Sequence, residues 1–156
     1  MSNVGKGGTL SAMKHIGASA AVALLLIGGC EAAPEAIGPQ GGTVVSDDGR
    51  FSLEIPPGAL DTHVKVTITS VECELPSALG PCYRLAPRGL GFMLPATVTY
   101  ELGGMELDAV DRRALNVIAE RDEGWNVLAD QVVDLEDEVL TASALYLSSY
   151  AMIALQ

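Results

Sequence analysis

Aromatic side chains are scarce in this sequence, whose 156 residues include two Phe, four Tyr and one Trp. Surfaces that stack sugars or bases need clustered rings, so this composition argues against them. Histidine occurs only at positions 15 and 63. One histidine beyond residue 30 is too few for a usual zinc site. Ser148 and Ser149 are available as nucleophiles, but the one remaining histidine, His63, lies far from them in the sequence, at a predicted strand start. We therefore expect no zinc site and no Ser–His hydrolase.

Basic residues are also few, and they are placed unevenly. Only Lys6 and Lys14 precede Cys30, whereas all 20 acidic residues follow it together with the seven other bases. The part of the chain from Cys30 onward is therefore strongly acidic. Such a surface repels phosphate backbones and anionic lipids, so we expect no nucleic-acid binding. The negative charge fits solubility, and it leaves a cationic partner or Ca²⁺ open.

The first thirty residues resemble the signal of a bacterial lipoprotein. Lys14-His15 precedes an apolar run over residues 16–27, which is shorter than the roughly 20 residues of a spanning helix. The junction Ile27-Gly28-Gly29-Cys30 resembles the lipobox, in which the Cys thiol is diacylglycerated and the signal is cut before it. Several acyl chains give durable anchoring. We therefore expect a signal peptide over residues 1–29 and lipidation at Cys30; a plain transmembrane anchor is the weaker alternative, and Met13 is a second candidate start.

The residues after Cys30 predict a location and a tether. In Gram-negative lipoproteins Asp after the Cys is associated with inner-membrane retention, so Glu31 favours the outer membrane of the cell envelope. Residues 30–39 include Pro34 and Pro39 and show no hydrophobic periodicity. This composition is typical of a flexible tether.

From residue 40 to residue 156 the pattern predicts one all-β domain. Apolar and polar residues alternate over Phe51–Ile55, Val64–Thr69 and Ala96–Leu102, as in half-buried strands. The stretches Asp47-Asp48-Gly49 and Pro57-Gly58 predict a tight hairpin and a type II turn. Further strands are expected at Thr43–Ser46, Leu115–Glu120, Trp125–Leu128, Val139–Ala142 and Tyr150–Leu155, and a helical turn or two at Leu107–Arg113. Short, regularly spaced strands indicate an antiparallel β-sandwich.

Cys73 and Cys82 form an even pair once Cys30 is assigned to the lipid. In an exported domain such a pair predicts a disulfide. The two cysteines bracket residues 74–81, a loop whose sequence offers little else to order it.

Several segments resemble the ZU-five domain of ankyrins, netrin receptors, zonula occludens proteins and many bacterial surface proteins. The most specific is Ile55-Pro56-Pro57-Gly58-Ala59-Leu60, after Gly41–Val45, and further similarity lies at Tyr83–Pro87, Phe92–Tyr100, Trp125–Leu128 and Leu147–Ile153. The resemblance covers nearly all of residues 40–156. It implies a β-sandwich that acts as a protein-interaction module, as in ankyrin docking to a spectrin repeat. A shared fold does not name the partner, which we expect to be another envelope protein.

Two alternative functions follow from the same residues. Acidic pairs on predicted loops could make a calcium-dependent adhesive module, but none has EF-hand spacing, so we expect no metal and no cofactor. Some proteins of the resembling family cleave themselves before the Ser of a His-Phe-Ser motif. The matching stretch here is Tyr146-Leu147-Ser148, and a phenol with a pKa near 10 is a poor base at neutral pH. We therefore expect no self-processing and no enzymatic activity.

Overall fold

A computed structural model of the protein describes residues 36–122 and 124–155. The predicted signal peptide, Cys30 and most of the tether lie outside the described residues. The elements in chain order are β1 Gly42–Val45, β2 Phe51–Ile55, β3 Thr67–Val71, β4 Cys82–Ala86, β5 Gly91–Glu101, a 3-10 turn Arg112–Ala114, β6 Leu115–Arg121, β7 Gly124–Val127, β8 Val132–Asp134, β9 Val139–Tyr146 and β10 Ser149–Ala154.

The strands form two antiparallel sheets packed as a sandwich, which confirms the predicted fold class. The first sheet has the order β1-β2-β5-β9-β8 and the second has the order β3-β4-β10-β6-β7. Strand β10 is the last along the chain, yet it lies at the centre of the second sheet between β4 and β6. Strands β1 and β3 are edge strands, one in each sheet.

The alternation of apolar residues puts one face of each sheet into a shared core. Phe51, Leu53 and Ile55 of β2 are buried while Glu54 is exposed, as the period of two predicts. Four of the seven aromatic residues meet in this core: the ring centroid of Phe51 lies 4.7 Å from that of Tyr83 and 4.9 Å from that of Tyr100. Aromatic pairs at such distances stabilise by about 0.5–1.5 kcal/mol beyond their burial. The few aromatics are therefore used for packing.

Two turns have the conformations that their sequences predict. Ala59 N–H donates to the carbonyl of Pro56 at 3.1 Å, and Gly58 between them has φ +83°, which is a type II turn. Gly49 has φ +70° in the hairpin between β1 and β2. These left-handed conformations favour glycine over residues with a Cβ atom.

Three details differ from the sequence prediction. Residues 107–111 form no helix, and only the 3-10 turn Arg112–Ala114 follows them, capped by Asp111, whose carboxylate accepts from Arg113 N–H at 3.0 Å. The strand expected at Val64–Thr69 is shifted to Thr67–Val71, and Val64 forms an isolated bridge with Ile37. Strands β4 and β8 were not expected. Strand β4 is defined by its two neighbours, β3 and β10, and the edge strand β8 by its pairing with β9, rather than by local periodicity.

Candidate binding site

Cys73 and Cys82 form the predicted disulfide, with their Cα atoms 4.9 Å apart. The bridge closes the hairpin between β3 and β4. Cys82 pairs with Val71 at the end of the ladder, and Cys73 lies two residues beyond Val71. The loop inside the disulfide is ordered by the second sheet as well. Leu79 N–H donates to the carbonyl of Met152 at 2.8 Å, and Ala78 pairs with Ile153. The expectation that little besides the disulfide orders this loop was therefore wrong.

The disulfide hairpin packs beside a small apolar cluster that is separate from the main core. Cys82, Ile118, Ala151 and Ile153 are its buried members, and Leu75, Ala78 and Trp125 are among the half-buried residues that pack against it. The cluster explains why β10 has no polar face: its residues are buried on alternate sides by the core and by this cluster. A shallow depression of about 270 Å³ beside it is lined by Trp125, Arg84 and three glutamates, Glu72, Glu74 and Glu120.

A larger cleft, of about 770 Å³, lies between the edge strands β1 and β3. One wall is formed by Gly42–Val45 and the other by Val66–Thr69, and Ala36 and Ile37 lie in it where the described chain begins. We call this the edge cleft. Val44 and Ile68 give it apolar lining that continues into the core.

Hydrogen bonds elsewhere in the second sheet fix the direction of the backbone groups on the β3 wall. Leu85 of β4 lies opposite Ile68 of β3. The N–H of Leu85, however, donates to the carbonyl of Ser148, just before β10, at 2.9 Å. Backbone groups alternate in direction along an antiparallel pair, so the N–H and C=O of Ile68 and Ser70 point away from β4, to the unpaired side of β3, where Ile68 lines the cleft. The backbone groups of Val64 point to the same side as those of Ile68. They already exchange two backbone hydrogen bonds with Ile37, at 2.9 and 2.8 Å.

The β1 wall has the same property. Ser46 N–H donates to the carbonyl of Phe51 at 2.8 Å, so the backbone of Ser46 faces β2. Because successive residues face opposite sides, the backbone groups of Val45 and Thr43 point away from β2. Within the described residues, both walls of the edge cleft therefore present backbone donors and acceptors that the two sheets do not use. These groups can bind an extended polypeptide.

The carboxylate of Asp48 connects the two sheets near this cleft. It accepts from the hydroxyl of Tyr83 at 2.8 Å, from the hydroxyl of Ser46 at 2.6 Å and from Arg50 N–H at 3.1 Å. Partial burial raises the pKa of Asp48, but these hydrogen bonds outweigh it and hold that pKa below its usual value. Burial, with the bond to Asp48, raises the pKa of Tyr83 well above that of a free phenol. Asp47 and Asp48 are one of the acidic pairs on predicted loops that could bind calcium, and both carboxylate oxygens of Asp48 accept hydrogen bonds from protein donors.

Other acidic residues also bond to groups of the protein itself. Asp134 accepts from the N–H groups of Glu136 and Asp137 at 2.9 and 3.0 Å, and Glu138 pairs with Arg112 at 2.7 Å. Among the residues that the structure describes, no group of three or more His, Cys, Asp or Glu side chains is arranged to hold a metal ion.

The stretch that matches the self-cleavage motif joins β9 to β10. Leu147 is buried, its N–H donates to the carbonyl of Leu90, and its own carbonyl accepts from Gly89 N–H, both at 2.8 Å. The Ser148 hydroxyl donates to the backbone carbonyl of Glu120. A depression of about 380 Å³ beside this junction is lined by Arg88, Glu120 and Arg121, among others, but not by His63.

His63 lies beside a different segment, because a Cβ placed on Gly38 would come within 2.6 Å of its Nε2 atom. The residue that replaces the motif's histidine, Tyr146, has its ring 5.4 Å from the guanidinium of Arg121. Ser148 thus has a carbonyl acceptor, and within residues 36–122 and 124–155 no imidazole lines the depression beside it. In place of the histidine of the His-Phe-Ser motif, the junction has Tyr146.

In residues 36–122 and 124–155 we find no helix that is long and apolar enough to cross a membrane. The chain matches no protein-family model and no curated protein.

Proposed function

We propose that this protein is a lipid-anchored lipoprotein of the bacterial cell envelope, in the outer membrane, and that its β-sandwich binds another envelope protein. The lipobox-like junction at Cys30 supports the anchor, and the resemblance to the ZU-five domain supports the binding role. The observation that carries the binding role is the edge cleft. It combines apolar lining with unused backbone groups, the features of a surface that accepts a polypeptide.

The position of the cleft fits a protein held close to a membrane. Five residues separate Cys30 from Ala36, which lies in the cleft. Fully extended, they span at most about 18 Å. A lipid at Cys30 would therefore keep the cleft near the membrane surface, where other envelope proteins are concentrated. The Ser148 hydroxyl donates to a backbone carbonyl, and no histidine of the described residues lines the depression beside it, so we propose a binding role and no enzymatic one.

The anchor can be tested with Cys30→Ser. Cells that express the wild-type protein or the variant are labelled with a palmitate analogue, and the membrane and soluble fractions are compared. We expect label only in the wild-type protein, and loss of the membrane-bound form in the variant. The double variant Cys73→Ser/Cys82→Ser keeps Cys30 and is the matched control, since it should label normally. Wild-type labelling of Cys30→Ser would contradict the anchor.

The binding role can be tested by photo-crosslinking in intact cells. A photoreactive residue is placed at Thr67 in the edge cleft or, as a control, at Glu136 in the exposed turn before β9. We expect a defined adduct with an envelope protein from position 67 and none from position 136. Equal adducts from both positions, or none from either, would argue against a binding surface at the cleft.

A further inference from the structure

We infer that the β3 wall of the edge cleft accepts an extended, basic segment of the partner protein, which pairs with β3 as an additional strand of the second sheet. This inference rests on the proposed binding function and adds to it the surface, the binding mode and the chemistry of the partner.

The backbone of β3 is the first basis of the inference. Ile68 and Ser70 direct their N–H and C=O groups away from β4, to the unpaired side of β3, as the bond from Leu85 to Ser148 requires. At the end of the same edge, Val64 already exchanges two hydrogen bonds with Ile37. An antiparallel chain is therefore accepted at one end of this edge. Exposed strand edges are templates for strand addition.

The edge of β3 also lacks the features that usually prevent strand addition. Proteins protect edges with charged side chains, prolines, bulges or very short strands. Strand β8, at the far edge of the first sheet, has only three residues. Strand β3 has five, Thr67-Ile68-Thr69-Ser70-Val71, without a charge or a proline, and β-branched residues predominate. Its sequence favours pairing.

The side chains around the edge indicate what an added strand should contain. Val66, just before β3, and Ile68 of β3 are buried between the sheets, and Val44 on the opposite wall is half-buried against the same core. A residue that pairs opposite Ile68 shares its face, so an aliphatic side chain fits there. Residues opposite Thr67 and Thr69 lie on the outer face, in solvent. Alternating aliphatic and solvated positions are therefore expected in the partner.

Charge determines which solvated residues are favoured. Residues 36–156 contain 18 acidic and seven basic residues. Asp47 lines the cleft, and Glu72 directly follows β3. A segment with Lys or Arg at its solvated positions gains long-range attraction to this surface, whereas an acidic one is repelled.

Two other occupants fit less well. The chain's own residues 31–35, Glu-Ala-Ala-Pro-Glu, are nearest in sequence, but Ala, Glu and Pro are depleted in strands, and two glutamates would add negative charge. Pairing of β3 with β3 of a second copy would bring two strongly acidic domains together. We therefore assign the site to a basic partner segment.

The test uses the full-length lipidated protein in a neutral detergent and the capped peptide Lys-Val-Lys-Val-Lys-Val-Lys as the probe. Amide exchange is followed residue by residue by NMR with and without the peptide. At 90% occupancy we expect about tenfold slower exchange at Ile68 and Ser70, since only the free tenth of the protein exchanges. The Thr67 and Thr69 amides, which face β4, should change little. A peptide of the same sequence that is N-methylated at alternate residues, so that its pairing edge is blocked, should not bind.

A variant pair tests the edge itself. Ser70 is exposed, so Ser70→Pro removes one N–H on the unpaired side of β3 without a loss of core packing. Ser70→Ala keeps that N–H. We expect at least about fivefold weaker binding for Ser70→Pro and unchanged binding for Ser70→Ala, with both proteins giving dispersed spectra. If Ser70→Pro fails to fold, the methylated peptide and the exchange pattern of the wild-type protein still test the edge.

Several outcomes would overturn the inference. They are equal binding of the methylated peptide, equal binding of an acidic Glu-Val peptide, slowing at Thr43 and Val45 of β1 instead of β3, and a stable dimer in the absence of peptide. Spontaneous disulfide formation in Ala32→Cys/Thr69→Cys would show that the tether occupies the edge. Failure here, with lipidation at Cys30 and a cleft-specific adduct in cells intact, would reject strand addition and leave the proposed function standing. Loss of both would reject the proposed function.

Discussion

Removing the Cys73–Cys82 disulfide should lower the stability of the domain without unfolding the hairpin that it closes. The bridge spans a sequence separation of nine residues. In the chain-entropy model, closing a loop of about ten residues lowers the entropy of the unfolded chain by an amount worth about 2.7 kcal/mol at 25 °C. For a domain of about 120 residues this corresponds to a melting temperature lower by roughly 10 °C.

The native hairpin should survive because other contacts hold it. The bond from Leu79 N–H to Met152 and the bridge between Ala78 and Ile153 do not involve the sulfur atoms. Cys82 is buried and Cys73 is half-buried, so Cys73→Ser/Cys82→Ala removes the bridge without placing a hydroxyl in the cluster. The small cavity left by Cys82→Ala should add no more than about 1 kcal/mol.

The assay is urea unfolding of the oxidised wild-type protein, the reduced wild-type protein and the double variant, with Ser77→Ala as a control in which the loop changes but the bridge remains. We expect the reduced protein and the variant to lose about 2–4 kcal/mol and the control to match the oxidised protein. Hydrogen exchange should show the Leu79 amide still protected in the variant. A stability change below about 1 kcal/mol, or loss of that protection in a folded protein, would refute this account of the disulfide.

Four further predictions concern charge and chemistry. The pKa of Asp48 is lowered in the folded state, so the stabilising effect of this carboxylate should be complete above the unfolded value of 3.8 and be lost as the pH falls through the folded pKa. Asp48→Asn should therefore flatten the acid limb of the urea midpoint plotted against pH. An unchanged limb would argue against a stabilising role for the hydrogen bonds to Asp48. Tyr83→Phe removes the same contact and should cost about 1 kcal/mol in thermal or urea unfolding, whereas a cost near zero would mean that the bond to Asp48 contributes nothing. Purified protein kept at neutral pH for days should remain one chain on a denaturing gel; a nick between Leu147 and Ser148 that disappears in Ser148→Ala would make the protein self-processing. Millimolar Ca²⁺ should change the melting temperature by no more than a few degrees, and a rise of more than about 10 °C would favour the calcium-dependent adhesive module.

The sequence predicted those parts of the fold that depend on local pattern. Strands β2 and β5 alternate clearly, and the type II turn at Pro57-Gly58 needs only local chemistry. The disulfide followed from the number of cysteines. Strand β4 did not follow, because it has only five residues, two of them apolar in sequence at its start, and lies between Pro81 and Pro87, and β8 is too short to show a period.

The candidate site was beyond local pattern because it depends on strand order. The edge cleft exists because β1 and β3, which are distant along the chain, end as edges of different sheets. The direction of the backbone groups at Ile68 depends on a bond between Leu85 and Ser148, which are 63 residues apart in sequence. A run of alternating residues predicts a strand, but it does not predict which side of that strand stays unpaired.

The central position of β10 determines the order in which the protein can be assembled on the ribosome. Strands β3 and β4 form one hairpin and β6 and β7 form another, and only β10 joins them into a sheet. Ribosomes add about 5–20 residues per second, and β10 is synthesised after the four other strands of its sheet. Until Ser149–Ala154 has emerged, the two hairpins share no ladder and the core lacks Tyr150 and Met152. The second sheet therefore cannot be completed until all of its other strands have already left the ribosome.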